Sequence, residues 1–378
     1  MEGPGVSIRL NPFKGSDGPG GAPVPWSPHG RILEERPQFI LDPLLHAGCY
    51  YVQDSSAMFP GHLLRKVLPR FAPGLRVLDL CAAPGGKTTD AAASLREAFG
   101  GRFTLVANEV MKARAQVLLD NVALWGDPAV SVTSADPSVI GRCLPGAFDI
   151  IIADVPCSGE GMFRKDPRAV EEWSPELVTL CAARQKRILA DVWPALREGG
   201  VLIYSTCTYE EEENDANLLW AARTLGGEII PPEDEFAAWG VTLTACGSLL
   251  KAGTVPGEGQ WAGALVRTSP CGASRRFDLP ALRPLRCGTP APVTRGRDVI
   301  PHPDAVYGID FDRTLCPEAE VPLETALRYL HRDTIVLPDA PAGYVVITYK
   351  GHPLGMVKNL GTRCNNLLPP GRRILKDV

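Results

Sequence analysis

The feature that most constrains the fold of this 378-residue chain is an alternation of short apolar runs and helical segments between residues 76 and 205. The apolar runs predict strands at Arg76–Leu80, Phe103–Ala107, Val130–Thr133, Phe148–Ala153 and Val201–Ser205. The helical patterns between them span Thr88–Phe99, Lys112–Leu124 and Pro175–Leu196, and Gly199–Gly200 is expected to end the last one. Strands that alternate with helices predict an α/β domain with a mainly parallel sheet.

The segments on either side of this alternation differ in composition and predict separate structural units. The Gly/Pro-rich tract Gly15–Pro28 indicates a loop or a disordered linker. Residues 238–267 predict an antiparallel hairpin at the end of the sheet, and short β-like runs return after residue 335. We therefore expect a short N-terminal subdomain over 1–60, the α/β core over 61–270, and a linker with a small β-rich region over 271–378.

Charge is distributed unevenly along the chain. The net charge is −4, from 39 Lys and Arg against 43 Asp and Glu. Residues 271–378 hold 15 of the basic and 11 of the acidic residues, a net of +4, so residues 1–270 hold 24 and 32, a net of −8. A basic end on an acidic chain favours a polyanionic partner for that end, although exposed basic residues also serve solubility.

The eleven cysteines predict neither a disulfide framework nor a metal site. No two of them have the C-x-x-C spacing of a zinc knuckle or a redox motif, and their number is odd. The first 60 residues contain no basic stretch followed by an apolar run of signal-peptide length. No apolar run reaches the roughly 20 residues that a membrane helix needs. We therefore expect a cytoplasmic protein without a metal or a membrane span.

The first candidate binding element is the loop CAAPGGK, residues 81–87, which joins an apolar strand to an Ala-rich helix. In a doubly wound sheet such a loop lies at the carboxyl ends of the strands, where ligands bind, and small residues let the backbone approach a ligand. The N–H groups of the following helix favour an anion such as the carboxylate of a methionine moiety. The loop matches neither G-x-G-x-x-G nor G-x-x-x-x-G-K-[ST], so it indicates neither a nicotinamide cofactor nor a nucleoside triphosphate.

Acidic residues follow the next two predicted strands. Glu109 follows the second strand and could accept hydrogen bonds from ribose hydroxyls, and Asp136 follows the third and could accept one from an adenine amino group. Each acid alone is equally well explained as a helix cap or a surface turn. Together with the 81–87 loop, the two acids favour a nucleoside pocket at the edge of the sheet.

Two cysteines follow the last two predicted strands, one in DVPCSG at 154–159 and the other in YSTCT at 204–208. Carbon 5 of a cytosine is too weakly nucleophilic to take a methyl group unaided, and addition of an activated thiol to carbon 6 overcomes this. A base must then remove the carbon-5 proton so that the thiol can leave, and a second cysteine can assist. Asp154 could hold the cytosine ring by sharing a proton with ring nitrogen 3.

Taken together, these segments resemble the Sun-type RNA cytosine-C5 methyltransferases. The resemblance covers about residues 39–225 and includes QDSS at 53–56, the 81–87 loop, and the two cysteine segments. The combination of Pro-Cys and Thr-Cys-Thr at strand ends is its most specific part. The resemblance implies a Rossmann-like class I methyltransferase core, a mostly parallel seven-stranded sheet, and S-adenosyl-L-methionine as the cofactor.

The resemblance also implies roles for individual residues. The Thr-Cys-Thr cysteine is the nucleophile in that family, which implies Cys207, and the Pro-Cys cysteine aids product release, which implies Cys157. Lys87 matches a family lysine near the catalytic centre, where Asp154 is also expected. The residues expected around the cofactor are Cys81, Ala82, Ala83, Pro84, Gly85, Gly86, Lys87, Glu109, Asp136 and Asp154.

The C-terminal segment resembles a subgroup of that family. Residues 351–361 are similar to the C-terminal region of methyltransferase F-like proteins, in which a small RNA-binding domain of the PUA type follows the core. Residues 344–378 hold six basic residues and one acid, which suits contact with phosphates. Family members usually have a longer helical region before the element that includes Arg9 and Asn11, so we expect either an abbreviated RNA-related N-terminal subdomain or a misplaced start codon. The resemblance implies rRNA as the substrate, with tRNA as the alternative.

Other interpretations remain open at this point. A catalytically idle RNA-binding ribosome assembly factor would keep the same fold, and a DNA cytosine methyltransferase would attack with the Pro-Cys cysteine. The presence of Cys157, Cys207 and Lys87 argues against the first, and the Thr-Cys-Thr sequence argues against the second. The acidic run Glu210–Glu213 is expected to cap and charge the first turn of a helix that starts after Thr208.

Overall fold

The computed structural model describes residues 5–15, 18–272, 277–295 and 298–376. Its first part is a small antiparallel sheet in the order β2-β3-β1-β4, formed by β1 Val6–Leu10, β2 Ala22–Val24, β3 Ser27–Leu33 and β4 Tyr50–Val52, with helix α1 at Pro43–His46. The prediction of a loop or disordered linker over Gly15–Pro28 is wrong for the part that forms β2 and β3. Val24 and Trp26 are buried against Phe59, and the edge position of β2 tolerates Pro23.

The core alternates helices and strands from residue 59 to residue 267. Its helices are α2 Phe59–Val67, α3 Gly86–Phe99, α4 Lys112–Trp125, α5 Pro137–Cys143, α6 Pro167–Glu172, α7 Pro175–Val192 and α8 Asp215–Ala221. Its strands are β5 Leu75–Asp79, β6 Phe103–Asn108, β7 Val130–Thr133, β8 Phe148–Asp154, β9 Leu196–Thr206, β10 Gly227–Ile230, β11 Thr242–Leu243, β12 Gly247–Lys251 and β13 Gly259–Arg267. A further strand, β14 at Arg286–Cys287, pairs with β7.

These strands form one large sheet in the order β11-β12-β13-β9-β8-β5-β6-β7-β14, with β10 also paired to β13. The five strands from β9 to β7 are parallel, and the others are antiparallel. The predicted seven-stranded sheet is present as β7-β6-β5-β8-β9-β13-β10, and β11, β12 and β14 extend it. The carboxyl ends of the parallel strands meet at one edge, which is where doubly wound sheets bind their ligands.

Helix α7 begins at Pro175 as predicted but ends earlier than expected. It stops at Val192, and Leu196 already belongs to β9. Pro194 cannot continue a helical hydrogen-bond pattern, and Leu196 is fully buried and pairs with Phe148. The Gly199–Gly200 pair therefore lies inside β9 instead of ending the helix.

The C-terminal part is rich in short strands, as predicted. The hairpin β15 Val293–Arg295 and β16 Asp298–Ile300 precedes a second sheet in the order β17-β18-β19-β20. That sheet consists of β17 Glu318–Glu320, β18 Gly343–Tyr349, β19 His352–Asn359 and β20 Cys364–Asn366, and helix α9 Leu323–Leu330 packs on it. Ile8 and Tyr50 share one apolar cluster with Leu327 and Val357, so the two ends of the chain have a common core.

Neither a membrane span nor a metal cluster is found in the described ranges. No helix there is both long enough and apolar enough to cross a membrane. The same part of the chain holds no group of three or more His, Cys, Asp or Glu side chains that could bind a metal ion.

Candidate active site

The 81–87 loop leaves β5 at the carboxyl edge of the sheet and ends in the first turn of α3. Gly85 has a φ of 116°, a conformation that strains any side chain, so this turn requires glycine. The Ala82 N–H donates to the Asn108 carbonyl at 2.8 Å, which holds the loop against the end of β6. The sequence of small residues thus produces a compact turn beside the neighbouring strand.

This loop forms one wall of a cleft of about 220 Å³. The opposite wall comes from the end of the N-terminal sheet and the residues just after it. The lining residues are Tyr51, Val52, Gln53, Asp54, Ala57, Cys81, Ala82, Ala83, Pro84, Gly86, Lys87 and Asp154. Most of the 81–87 loop therefore shares a cleft with Asp154, as expected from their positions at strand ends.

Glu109 and Asp136, the two acids predicted to contact a nucleoside, lie outside this cleft. Glu109 is buried: Oε1 accepts from the Met111 N–H at 2.9 Å, and Oε2 lies 3.5 Å from the Arg114 guanidinium without a hydrogen bond to any described residue. Asp136 is exposed and caps α5, where it accepts hydrogen bonds from the N–H and hydroxyl of Ser138. Glu109 therefore keeps a buried acceptor oxygen, whereas Asp136 stabilises a helix end.

Asp79, at the end of β5, is a candidate site residue that the sequence analysis did not identify. Its carboxyl group is fully buried, and Oδ2 accepts from the Thr88 hydroxyl at 2.6 Å. The other oxygen, Oδ1, has no hydrogen-bond partner among the described residues. Burial raises the pKa of Asp79 to about 7, against the lowering effect of the Thr88 hydrogen bond. An acid within the apolar run Val77–Leu80 was the signal in the sequence, because such a group is costly to bury without a partner.

The two predicted catalytic cysteines lie side by side on loops that follow neighbouring strands. The Sγ atoms of Cys157 and Cys207 are 3.1 Å apart. The hydrogen bond from Cys157, supported by the charge of Lys87, lowers the pKa of Cys207 against the opposing effects of burial and Asp154. The same thiol contact and burial raise the pKa of Cys157. The site therefore favours a thiolate at Cys207 and a protonated thiol at Cys157.

Lys87 and Asp154 form an ion pair in the same site. Lys87 Nζ lies 2.9 Å from Asp154 Oδ2, and Asp154 Oδ1 accepts from the Ser205 hydroxyl at 2.7 Å and the Gln260 amide at 3.1 Å. Burial lowers the pKa of Lys87, but the charge and hydrogen bond of Asp154 outweigh this effect, and the pKa is raised. Lys87 is therefore a fixed cation, and Asp154 is oriented by three contacts.

The acidic run Glu210–Glu213 does not cap a helix directly after Thr208. Helix α8 begins at Asp215, and Glu213 is fully buried against the loop that carries Cys157. The prediction of a capping run is therefore wrong for Glu213. Its side chain points inward because the Ser158 N–H and the Gln185 amide donate hydrogen bonds to it.

Two parts of the chain match known protein families. Residues 70–224 match the model for the 16S rRNA methyltransferase RsmB/F, and residues 316–374 match the model for the methyltransferase RsmF PUA domain. Ribosomal RNA small subunit methyltransferase F of Salmonella paratyphi C is 40% identical over 237 residues, which are 60% of this chain and 47% of the relative. The same-named protein of Escherichia coli O157:H7 is 38% identical over 263 residues, or 64% and 53%. The chain spans about half the length of these curated relatives.

Solved structures confirm the predicted α/β fold. A methyltransferase homolog protein from Pyrococcus horikoshii is 24% identical with a TM-score of 0.58, over 70% of this chain and 87% of that one. NSun6 from the same organism is 18% identical with a TM-score of 0.57, over 71% and 92%. These structural similarities are evidence for the fold alone. The two family-model matches agree with the family resemblance described under the sequence analysis. Residues 70–224 are therefore similar to RsmB/F methyltransferases, and residues 316–374 are similar to the RsmF PUA domain.

Proposed function

We propose that this chain is an S-adenosyl-L-methionine-dependent RNA methyltransferase that modifies carbon 5 of a cytosine, with Cys207 as the nucleophile. The observation that carries the proposal is the 3.1 Å contact between the Cys207 and Cys157 sulfur atoms. Covalent catalysis at carbon 6 needs one sulfur that attacks as a thiolate and a group that helps it leave. The opposite directions of the two thiol pKa shifts suit this division of roles.

The residues at the carboxyl ends of β5 and β6 suit S-adenosyl-L-methionine, because two of them hold carboxylate oxygens that can accept hydrogen bonds from it. Within the described part of the chain, Asp79 Oδ1 and Glu109 Oε2 are buried without hydrogen-bond partners. The amino group and ribose hydroxyls of the cofactor are donors for such oxygens, and the N-terminus of α3 suits its carboxylate. In this proposal the exposed carboxylate of Asp136 contacts the adenine amino group. The residues that would hold the cofactor are Cys81, Ala82, Ala83, Pro84, Gly85, Gly86, Lys87, Glu109, Asp136 and Asp154, with Asp79 added from the structure.

The bound cofactor supplies an electrophilic methyl group, and the side chains of this chain make carbon 5 of the cytosine nucleophilic. The Cys207 thiolate, stabilised by Lys87, forms a bond to carbon 6 and makes carbon 5 nucleophilic. As the thiolate adds, ring nitrogen 3 takes up a proton from water and shares it with the Asp154 carboxylate, which so holds the ring. After methylation, water takes the carbon-5 proton, the electron pair of that C–H bond restores the double bond between carbons 5 and 6, the bond from carbon 6 to sulfur breaks, and ring nitrogen 3 gives up its proton. The Cys157 thiol donates a hydrogen bond to the departing Cys207 sulfur, which leaves as the thiolate that began the cycle.

RNA is the proposed substrate, and rRNA is the favoured class. The PUA domain at 316–374 and the names of the 40% identical relatives support this choice. Six basic residues against one acid over 344–378 suit contact with a phosphate backbone. The target cytosine must leave its stack to reach the two thiols.

The test compares Cys157→Ala and Cys207→Ala with the wild type and with Cys143→Ala, an exposed cysteine in α5. Each protein is incubated with labelled cofactor and 16S rRNA, small-subunit particles or tRNA, and then run on a denaturing gel. We expect Cys157→Ala to remain covalently attached to RNA, Cys207→Ala to give neither adduct nor product, and Cys143→Ala to match the wild type.

Other outcomes would contradict parts of the proposal. An adduct with Cys207→Ala would reverse the two roles and favour the mechanism of DNA cytosine methyltransferases. Labelling of tRNA alone would replace rRNA as the substrate. A wild type that transfers no methyl group to any of the three RNAs would favour an RNA-binding assembly factor.

A further inference from the structure

The loops that carry the two cysteines are bonded directly to each other. We call residues 155–163, after β8, the release loop, and residues 207–214, after β9, the nucleophile loop. The Gly161 N–H donates to the Cys207 carbonyl at 2.7 Å, and the Ser158 and Thr208 hydroxyls are 2.8 Å apart. A glutamate from each loop reaches the other loop, and together these contacts fix how the two cysteines face each other.

Glu213, from the nucleophile loop, fixes the peptide groups on either side of Cys157. Its Oε2 accepts from the Ser158 N–H at 3.2 Å and from the Gln185 amide at 2.6 Å. The same Gln185 amide donates to the Pro156 carbonyl at 2.9 Å. The carbonyl before Cys157 and the N–H after it are therefore held by one pair of side chains, both of which are fully buried.

Glu213 is fully buried, so its carboxylate neither improves solubility nor caps a helix. Burial raises the pKa of this carboxyl group, against the hydrogen bonds from Ser158 and Gln185 that favour its anion. The pKa of Cys157 is raised mainly by its contact with Cys207 and by burial, and the negative charge of Glu213 raises it further. Glu213 thus acts on Cys157 in two ways, through the backbone on both sides and through its charge.

Glu160, from the release loop, has the corresponding relation to Cys207. Its Oε2 accepts from the Thr208 hydroxyl at 2.8 Å and from the Tyr209 N–H at 2.6 Å. These are the two residues that follow Cys207 in the chain. Each cysteine is therefore positioned by a carboxylate that belongs to the loop of the other cysteine.

We propose that Glu213 and Glu160 are positioning residues for different steps of one reaction. Glu213 places the Cys157 thiol for release of the product, and Glu160 places Cys207 for attack on the base. The inference rests on the proposed function, because it assigns these steps to the two thiols. Both glutamates act through backbone or hydroxyl groups next to the cysteines, and Glu213 also acts on Cys157 through its charge.

The test uses Glu213→Gln and Glu160→Gln, with Glu212→Gln as the control from the exposed part of the same acidic run. Misplacement of a reacting group by about 1 Å can lower a rate by about a hundredfold, so we expect a smaller displacement to lower it by about tenfold. With Glu213→Gln we expect covalent protein–RNA adduct to accumulate and turnover to fall by about tenfold, while adduct formation stays within about twofold of the wild type. With Glu160→Gln we expect adduct formation to slow by about tenfold without accumulation. Glu212→Gln should behave as the wild type.

A second measurement needs no RNA and separates this inference from the proposed function. The rate of alkylation of each thiol by iodoacetamide at neutral pH is followed by peptide mass spectrometry, together with the melting temperature. Glu213→Gln should raise the rate at Cys157 several-fold and leave that at Cys207 nearly unchanged, because it removes a nearby negative charge. Glu160→Gln should change the rate at Cys207 alone. These outcomes hold even if no RNA is methylated.

The inference is overturned if each variant affects both steps equally and both thiols equally, which is the behaviour of residues that only support folding. It is also overturned if neither variant differs from Glu212→Gln. If Glu213→Gln fails to fold, Gln185→Met replaces it, because it removes the amide that holds Glu213 and Pro156 at similar volume. Its expected result is the same accumulation of adduct.

Discussion

Arg9 Nη2 donates a hydrogen bond to the carbonyl of Gly86 at 3.1 Å and so ties the N-terminal sheet to the loop of the proposed cofactor site. Arg9 Nε donates to Gln53 Oε1 at 2.9 Å, and the guanidinium lies 4.7 Å above the ring of Trp125. The side chain is fully buried, and burial lowers its pKa. The loop is therefore shaped by a residue outside the matched range 70–224 as well as by residues within it.

Arg9→Met should lower both the free energy of unfolding and the affinity for S-adenosyl-L-methionine. The buried Gln53 Oε1 loses the donor that Arg9 supplies, which costs about 1–3 kcal/mol. The Gly86 carbonyl loses one of its donors and keeps the Thr89 hydroxyl. Urea unfolding and isothermal titration calorimetry measure the two effects. Arg31→Met is the matched control, because Arg31 lies in β3 of the same sheet and donates only to nearby carbonyls. Equal effects of both substitutions would contradict the role given to Arg9.

The edge of the sheet where the site lies could be predicted from the sequence because each site motif directly follows an apolar strand. Parallel strands bring their carboxyl ends together, so the order of motifs along the chain was enough to expect Lys87, Asp154, Cys157 and Cys207 in one place. The observed ion pair and the thiol contact agree with that expectation. Such local rules succeed where strand direction alone decides which residues become neighbours.

Contacts between distant segments could not be predicted in the same way. Arg9 reaches Gly86, and Glu213 reaches Ser158, across loops whose paths depend on tertiary packing. The acidic run around Glu213 has the composition of a solvated helix cap, and the positions of the Ser158 N–H and the Gln185 amide explain why Glu213 turns inward. The β2 strand was missed for a related reason, because burial of Val24 and Trp26 outweighs the loop-forming tendency of their Gly and Pro neighbours.

Lys87→Gln should raise the pKa of the Cys207 thiol, and Asp154→Asn should lower it. The charge of Lys87 favours the thiolate and that of Asp154 opposes it, after the larger effects of the Cys157 hydrogen bond and burial. The pH dependence of iodoacetamide alkylation at Cys207 measures both shifts. Lys66→Gln, which removes a cation paired with Glu233 and Glu235 elsewhere on the surface, should leave the midpoint unchanged. Shifts of the same sign for both site variants would refute this electrostatic account.

Asp79→Asn should change how stability depends on pH. The pKa of Asp79 in the folded protein, about 7, lies above its ordinary value of 3.8, so the folded state holds a proton that the unfolded state releases. This contribution to stability is fully present below about pH 4 and is lost as the pH rises to 7. Between about pH 5 and pH 8 the free energy of unfolding of the wild type should fall by on the order of 2 kcal/mol relative to that of Asp79→Asn.

Urea unfolding at these two pH values tests the prediction for Asp79. Asp136→Asn serves as the control, because the ordinary pKa of an aspartate, 3.8, already lies below this range and hydrogen bonds from Ser138 lower the pKa of the exposed Asp136 further. Parallel stability curves for the wild type and Asp79→Asn would show that Asp79 titrates normally. If the cofactor amino group binds Asp79 Oδ1, its affinity should also increase as the pH rises through about 7.

Arg372 joins the C-terminal part of the chain to the core, and Arg372→Met should destabilise the whole protein. Its Nε lies 2.9 Å from Asp120 in α4, and its Nη1 lies 2.8 Å from Asp304, which also pairs with Arg286. Loss of one partner from a buried ion-pair group is strongly destabilising, and we expect about 2–3 kcal/mol because Arg286 still partly compensates Asp304.

The measurement for Arg372→Met is urea unfolding followed at tryptophan fluorescence, which reports on the core. Arg373→Met is the matched control, because Arg373 is the exposed neighbour of Arg372. The N-terminal sheet and the C-terminal strands share one apolar cluster, so we expect them to unfold together. Loss of the Arg372 ion pairs should therefore lower the urea midpoint of a single unfolding transition and should not divide it into two transitions. A separate early transition in Arg372→Met would mean that the C-terminal part unfolds independently, and an unchanged midpoint would mean that the ion pairs do not couple the two parts.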